Sequence, residues 1–398
     1  MSLIRAYGFR ADLPRTAVLD ESDSLDLTTR GARANGALSP DALHIAPSRE
    51  EWTELASAVP GRLVTGTLPD DHHARFLLRL PRAWNGRLVV AASSGITDET
   101  TYDVYFSDYL LSRGFAFAAT DKGVRRRVLD GTTMLMPMIP ESSVAVWASR
   151  LEALAEYARE LAARRYGRVP EKTYAAGLSN GGFIARRAAE SASGLFDGAL
   201  EISGVLWRSD SGNLLRELPA ALRATRREPW DRPALEALGF NAGGAWDPVL
   251  ALYRSVYWEA SLGFFLADLD PAYAGPLEDY DLDARPADVR ARIAGLQNTG
   301  DLRVPLISIS GERDYLISCA GHARAYETLV RARGKGALHR AKYFPNSAHI
   351  DTNRGLFSFV EPLMPRAHAA FDELVAWVEG APYCAVQPPS TLSDAPRI

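Results

Sequence analysis

The segment Gly177-Leu178-Ser179-Asn180-Gly181 has the pattern G-x-S-x-G. A serine between flanking glycines can occupy a strained turn from strand to helix, with its hydroxyl raised clear of the backbone; side chains at the glycines would collide with the neighbouring elements. A serine hydroxyl is a weak nucleophile at neutral pH. It needs a base to take its proton and an acid to orient that base. When the serine sits in such an elbow, the acid and then the histidine follow it in the chain. Downstream, Gly311-Glu312-Arg313-Asp314 follows an apolar run over 304–309, and His349 closes the small-residue stretch Asn346-Ser347-Ala348 after a second short run over 340–344. The expected constellation is Ser179 as nucleophile, His349 as base and Asp314 as orienting acid, with Glu312 as the alternative acid. His44, His72 and His73 precede the serine, His322 and His368 fall in or beside helical patterns, and His339 precedes the last apolar run, so none of them matches that order and context.

The negative oxygen of a tetrahedral intermediate needs two N–H donors. Asn180, directly after the serine, is expected to supply one; Ser93-Ser94-Gly95-Ile96 ends an apolar run and is expected to supply the other through Ile96, with Gly95 allowing close approach of substrate. Three further residues are candidate substrate contacts: Lys122 in Asp121-Lys122-Gly123, Met136 in the methionine-rich stretch 134–138, and Trp207 at the start of an aromatic segment. For each the plain alternative is structural, namely an ion pair fixing a loop, ordinary packing, or a small satellite core.

Several elements must hold these groups. Runs over 62–67 and 74–80 are short and β-rich, and predict an antiparallel hairpin at a sheet edge. From residue 87 onward, buried-strand runs at 87–92, 115–120, 173–177 and 198–202 alternate with helical patterns at 105–111, 143–164 and 182–192. This alternation predicts an α/β domain with a mostly parallel sheet covered by helices on both faces. It breaks over 205–301, a stretch rich in Trp, Tyr and Phe, and resumes with the strand at 304–309, a helix at 323–333, the strand at 340–344 and a closing helix at 366–379. The expected organisation is an irregular arm at 1–60, a core formed by 61–204 and 302–398, and a helical cap at 205–301.

Composition sets the outer limits. The chain has 398 residues, 47% hydrophobic and 24% charged, with a formal net charge of -4. That is enough apolar material for a large core, and it lacks the basic field that phosphate-backbone binding requires, so nucleic acid is not an expected partner. The run Arg125-Arg126-Arg127 reads as a solvated loop or carboxylate-pairing cluster. Two cysteines, Cys319 and Cys384, exclude a disulfide scaffold and a Cys-rich zinc site and allow one bridge. No apolar run approaches the roughly 20 residues of a membrane span, and the opening residues carry no basic stretch before an apolar one. The default expectation is therefore a cytoplasmic chain, with secretion after loss of a leader as the alternative. Oligomeric state has no signature.

The pair Ala118-Ala119-Thr120-Asp121-Lys122-Gly123 and Gly177-Leu178-Ser179-Asn180-Gly181-Gly182 resembles bacterial 3-hydroxybutyrate oligomer hydrolases and the neighbouring tannase and feruloyl esterase group. More broadly, residues of about 60–380 resemble the α/β-hydrolase superfamily. The resemblance implies an α/β-hydrolase fold and hydrolysis of a small or oligomeric ester, a hydroxyalkanoate or an aryl or alkyl ester, through an acyl-enzyme and without metal or cofactor. The tannase group carries cysteines immediately before its serine and histidine, where this chain has Leu178 and Ala348. The chain is also shorter than the oligomer hydrolases, so the specificity of neither group is carried over. Amide or peptide cleavage by the same triad is the alternative chemistry, and a non-catalytic binding module is the alternative from another class.

Overall fold

The computed structural model describes residues 19–47, 52, 54–69, 71–124 and 142–380. A nine-stranded sheet runs through the molecule in the order β1-β2-β3-β5-β4-β6-β7-β8-β9. The strands are β1 (Leu19–Ser24), β2 (Gly61–Leu68), β3 (Asp71–Pro81), β4 (Arg87–Ala92), β5 (Ala116–Thr120), β6 (Lys172–Leu178), β7 (Gly198–Ile202), β8 (Leu306–Gly311) and β9 (His339–Phe344). The first three are antiparallel to their neighbours, and every pairing from β5 through β4 to β9 is parallel. Because parallel strands are covered on both faces, β4 from Leu88 onward, β5, β7 and β8 are buried along their length, whereas β9 at the edge is not.

The helices, in chain order, are α1 (Thr29–Ala34), α2 (Asp108–Leu111), α3 (Trp147–Tyr166), α4 (Asn180–Glu190), α5 (Leu214–Ala224), α6 (Arg232–Ala237), α7 (Asp247–Tyr253), α8 (Glu259–Leu269), α9 (Ala287–Leu296), α10 (Ala325–Ala332) and α11 (Met364–Glu379). On one face of the sheet, α3 and α4 pack through Leu151, Leu154, Ala155, Ile184 and Ala188 onto Leu88, Val90 and Ala118. On the other, Phe371 and Leu374 of α11 meet Val89, Phe117 and Tyr174. Side chains of alternate parity along one strand thus feed two separate cores, as the period of two requires.

Two expectations need correction. The hairpin β2–β3 does not close the sheet edge, because β1 pairs outside it, Leu19 opposite Gly66 through Ser24 opposite Gly61. The arm is also not wholly irregular, since it contributes β1, α1 and a 3₁₀ turn at Pro40–Leu43. The sequence of β1, Leu-Asp-Glu-Ser-Asp-Ser, has almost no strand propensity. Its exposed Asp and Glu side chains suit an outermost strand, where charge discourages pairing with another chain.

Between β7 and β8 the chain leaves the sheet and forms α5 to α9. This segment is fastened back onto the loops that follow the parallel strands. Trp258 donates its indole N–H to the Tyr315 carbonyl at 2.6 Å, and Tyr315 donates its hydroxyl to the Asn241 carbonyl at 3.0 Å. A buried pair adds a third tie. His322 accepts the Leu206 N–H on Nδ1 at 2.8 Å, so its proton lies on Nε2, 2.9 Å from Glu217 of α5.

Candidate active site

Ser179 stands between the end of β6 and the start of α4 at φ 60° and ψ -119°, a conformation that costs a non-glycine residue on the order of 1–3 kcal/mol and persists only where its surroundings enforce it. The surroundings do so through glycine. A Cβ at Gly177 would lie 2.1 Å from the Gly181 carbonyl oxygen, and one at Gly181 would lie 2.3 Å from the Ala92 oxygen and 2.7 Å from the Tyr102 hydroxyl. The strand end is pinned as well, by the Leu178 N–H on the Tyr102 oxygen at 2.7 Å.

The residues expected as base and acid, His349 and Asp314, are held in the loops after the last two strands. His349 Nδ1 lies 2.6 Å from Asp314 Oδ2, and both side chains are buried. The other oxygen of Asp314 accepts N–H groups from Leu316 at 2.9 Å and Ile317 at 2.8 Å, so the carboxylate cannot rotate away from the imidazole. The two loops touch directly, with the Arg313 N–H on the Ser347 oxygen at 3.1 Å, and a Cβ at Gly311 would fall 2.2 Å from that same oxygen. Glu312 points elsewhere, to an exposed ion pair with Arg324. With Nδ1 committed to Asp314, the remaining nitrogen of His349 is the one available to a hydroxyl or a leaving group.

Ser179, Asn180, Gly95, Ile96 and His349 line one cleft. The loop after β4 enters it with Gly95 at φ +45°, backbone that only glycine adopts without strain. Its carbonyl accepts the Asn180 side-chain amide at 3.3 Å, which ties the loop after β4 to the start of α4. Around this polar floor, Leu214, Tyr257, Phe264 and Phe265 from the β7–β8 segment, with Leu316 and Ile317, form an apolar wall. Ser261, Thr97 and His44 are its polar interruptions.

The remaining candidate contacts fall elsewhere. Lys122 is not in the cleft. It is fully buried, with φ 63°, and its ammonium donates to the Ser93 carbonyl at 2.7 Å and to the Ser93 hydroxyl, 5.3 Å above the Trp147 ring. Burial lowers its pKa and raises that of its neighbour Asp121. Trp207 is also fully buried and stands behind the wall, edge-on to Phe265 at 4.8 Å. Met136, with the arginine run at 125–127, lies outside the described residues, as does Cys384; Cys319 is a buried thiol whose pKa burial raises to about 11. Among the described residues no group of three or more His, Cys, Asp or Glu could hold a metal ion, and no helix is long and apolar enough to cross a membrane.

The order-based search missed His44. It lies on the arm, far upstream of the serine, and nothing in the local pattern marks it. Its position follows from contacts distant in sequence: Ser39 donates to Asp98 at 2.6 Å, the Asp98 N–H donates to Asp41 at 2.7 Å, and Thr352 donates its hydroxyl to the carbonyls of His44 and of Ala46, the latter at 3.0 Å. Burial and the nearby His349 lower the His44 pKa from 6.5 to about 4.

Known proteins resemble this chain in fold and, over part of its length, in sequence. The sequence model of the tannase and feruloyl esterase family matches residues 61–205, a stretch that contains the hairpin, the loop at Gly95 and the serine elbow. The mono(2-hydroxyethyl) terephthalate hydrolase of Piscinibacter sakaiensis is 29% identical over 141 residues, which are 33% of this chain and 23% of that protein. The matched stretch thus spans about a quarter of that relative's length. Among solved structures, the tannin acyl hydrolase of Aspergillus niger superimposes with a TM-score of 0.54 at 12% identity, over 95% of this chain and 86% of the other. Feruloyl esterase B of Aspergillus oryzae gives 0.53 at 12% identity, over 92% and 87%. The chain has the α/β-hydrolase fold, and over residues 61–205 it resembles the tannase and feruloyl esterase family.

Proposed function

We propose that the protein is a serine-dependent carboxylic ester hydrolase in which Ser179 attacks the ester carbonyl, His349 accepts the serine proton and passes it to the departing alcohol, and Asp314 holds the imidazole. Water then attacks the acyl-enzyme with His349 again as base. The N–H groups of Asn180 and Ile96 are assigned to the developing oxyanion, and residues 205–301 act as a cap whose aromatic face receives the apolar part of the substrate. The observation that carries the reading is the convergence in one cleft of a strained serine and an imidazole fixed 2.6 Å from a buried carboxylate.

The matched family and the named activity of the Piscinibacter relative favour an ester over an amide. The cleft wall favours a neutral ester with an aromatic or branched apolar portion, because among the described residues its lining holds no Lys, Arg, Asp or Glu. Such an acyl group would exchange water for the Tyr257, Phe264 and Phe265 side chains at roughly 25 cal/mol per Å² buried. Turnover of p-nitrophenyl esters tests the reading. Wild-type protein should hydrolyse them, and Ser179→Ala should lower kcat by at least about 10⁴-fold. Activity that survives the substitution would refute it.

A further inference from the structure

Residues 39–46 of the arm span two loops of the site. Ser39 and Asp41 bind Asp98 in the loop that carries Gly95 and Ile96, and the carbonyls of His44 and Ala46 take the hydroxyl of Thr352, three residues beyond His349. Asp41, Ala42, Ile45 and Ala46 are buried beneath this bridge, so its backbone is fixed. His44 alone of these residues lines the cleft, half-buried, and its backbone is tied to Thr352 in the loop of His349. Among the described residues its imidazole has no hydrogen-bond partner. A neutral imidazole always presents one N–H donor and one nitrogen acceptor. Leaving both unsatisfied beside an apolar wall is costly once substrate displaces water.

The position relative to His349 indicates which part of a substrate His44 would meet. In ester cleavage the general acid delivers its proton to the leaving oxygen, so the alcohol portion departs along the His349 side of the cleft. We propose that His44 is a specificity-determining residue that hydrogen-bonds a neutral polar group, a hydroxyl or a second ester carbonyl, on the alcohol portion of the substrate. The inference rests on the ester-hydrolase reading above and deepens it: the preferred substrates are esters of hydroxylated or polyfunctional alcohols, and residues 39–46 of the arm complete the site.

The test uses the full chain and a matched pair of substrates, the 3-hydroxypropyl and n-butyl esters of one aromatic acid, whose alcohols have similar size and differ in the terminal hydroxyl. Wild-type kcat/KM should favour the hydroxypropyl ester by about fivefold to tenfold, the worth of one neutral hydrogen bond. His44→Phe should remove that preference, and His44→Gln, which keeps a donor and an acceptor, should retain part of it. A merely structural role would lower both esters together and leave their ratio unchanged, which overturns the inference. Equal wild-type rates on the two esters overturn it as well while leaving ester hydrolysis standing. Absence of turnover of either ester by the wild type would overturn the ester-hydrolase reading and this inference with it.

Discussion

Asp314 and Glu312 stand two positions apart in one loop and make different contacts. Asp314 is fully buried, with one oxygen on His349 and the other on two backbone N–H groups; Glu312 reaches outward to Arg324. Sequence could separate them only by distance from the strand end, because the orientation of each carboxylate depends on the turn at Gly311 and on contact with the loop of His349, neither of which is a local property. The two substitutions should therefore diverge. Asp314→Asn should lower kcat by about 10³–10⁴-fold with little change in KM, since an amide cannot stabilise the imidazolium or fix the productive tautomer. Glu312→Gln removes an exposed ion pair worth at most about 1 kcal/mol and should leave kcat within about twofold. Steady-state kinetics of both variants on one ester decide the point. His44 marks the limit of reading at this scale: a histidine upstream of the serine looks like any surface histidine until the folded arm brings it to the cleft.

At the scale of elements, much was legible. Buried runs such as Leu88–Ala92 and Ala199–Ile202 are strands because a parallel sheet hides both faces, and the glycines around Ser179 announce a strand-to-helix turn because only they fit it. What escaped was β1, whose acidic residues satisfy the requirements of an exposed edge and not those of strand propensity. Lys122 and Trp207 escaped for a related reason. Sequence places both near the carboxyl ends of parallel strands, where ligands bind, but local pattern cannot tell a side chain that faces the ligand from one that braces the loop behind it. Lys122 braces the Ser93 end of the loop carrying Gly95, and Trp207 supports Phe265. The close approach of α4 to β4 gives a sharp test. In Gly181→Ala the new methyl would lie 2.3 Å from the Ala92 oxygen, so the helix start and the strand end must move apart. The expected cost is about 1–3 kcal/mol of stability, seen as a lower Tm, together with at least a tenfold loss of kcat as Ser179 and Asn180 shift.

The whole molecule stores histidines in a form that resists protonation. His44, His339 and His368 each have a pKa lowered from 6.5 to about 4, chiefly by burial. Below pH 6.5 the unfolded chain takes these protons and the folded chain does not until pH 4. Stability therefore falls across that window, by up to about 1.4 kcal/mol per pH unit for each such group. Asp108 acts in the opposite sense: burial raises its pKa to about 6, so the folded state binds that proton first and gains stability as pH falls from 6 toward 3.8. His368, stacked on Tyr109 at 3.9 Å with its Nε2–H on the Tyr105 carbonyl at 2.8 Å, allows a clean comparison. His368→Gln should show a smaller drop in Tm between pH 6.5 and 4.5 than the wild type; parallel curves would contradict the assignment. These groups frame the central claim, that one serine among the many in the chain is chemically activated. Treatment with a fluorophosphonate followed by peptide mass spectrometry tests it most directly. The predicted result is one stoichiometric adduct on the peptide containing Ser179, lost in Ser179→Ala and strongly slowed in His349→Ala; an unlabelled wild type, or an adduct that persists without Ser179, would contradict it.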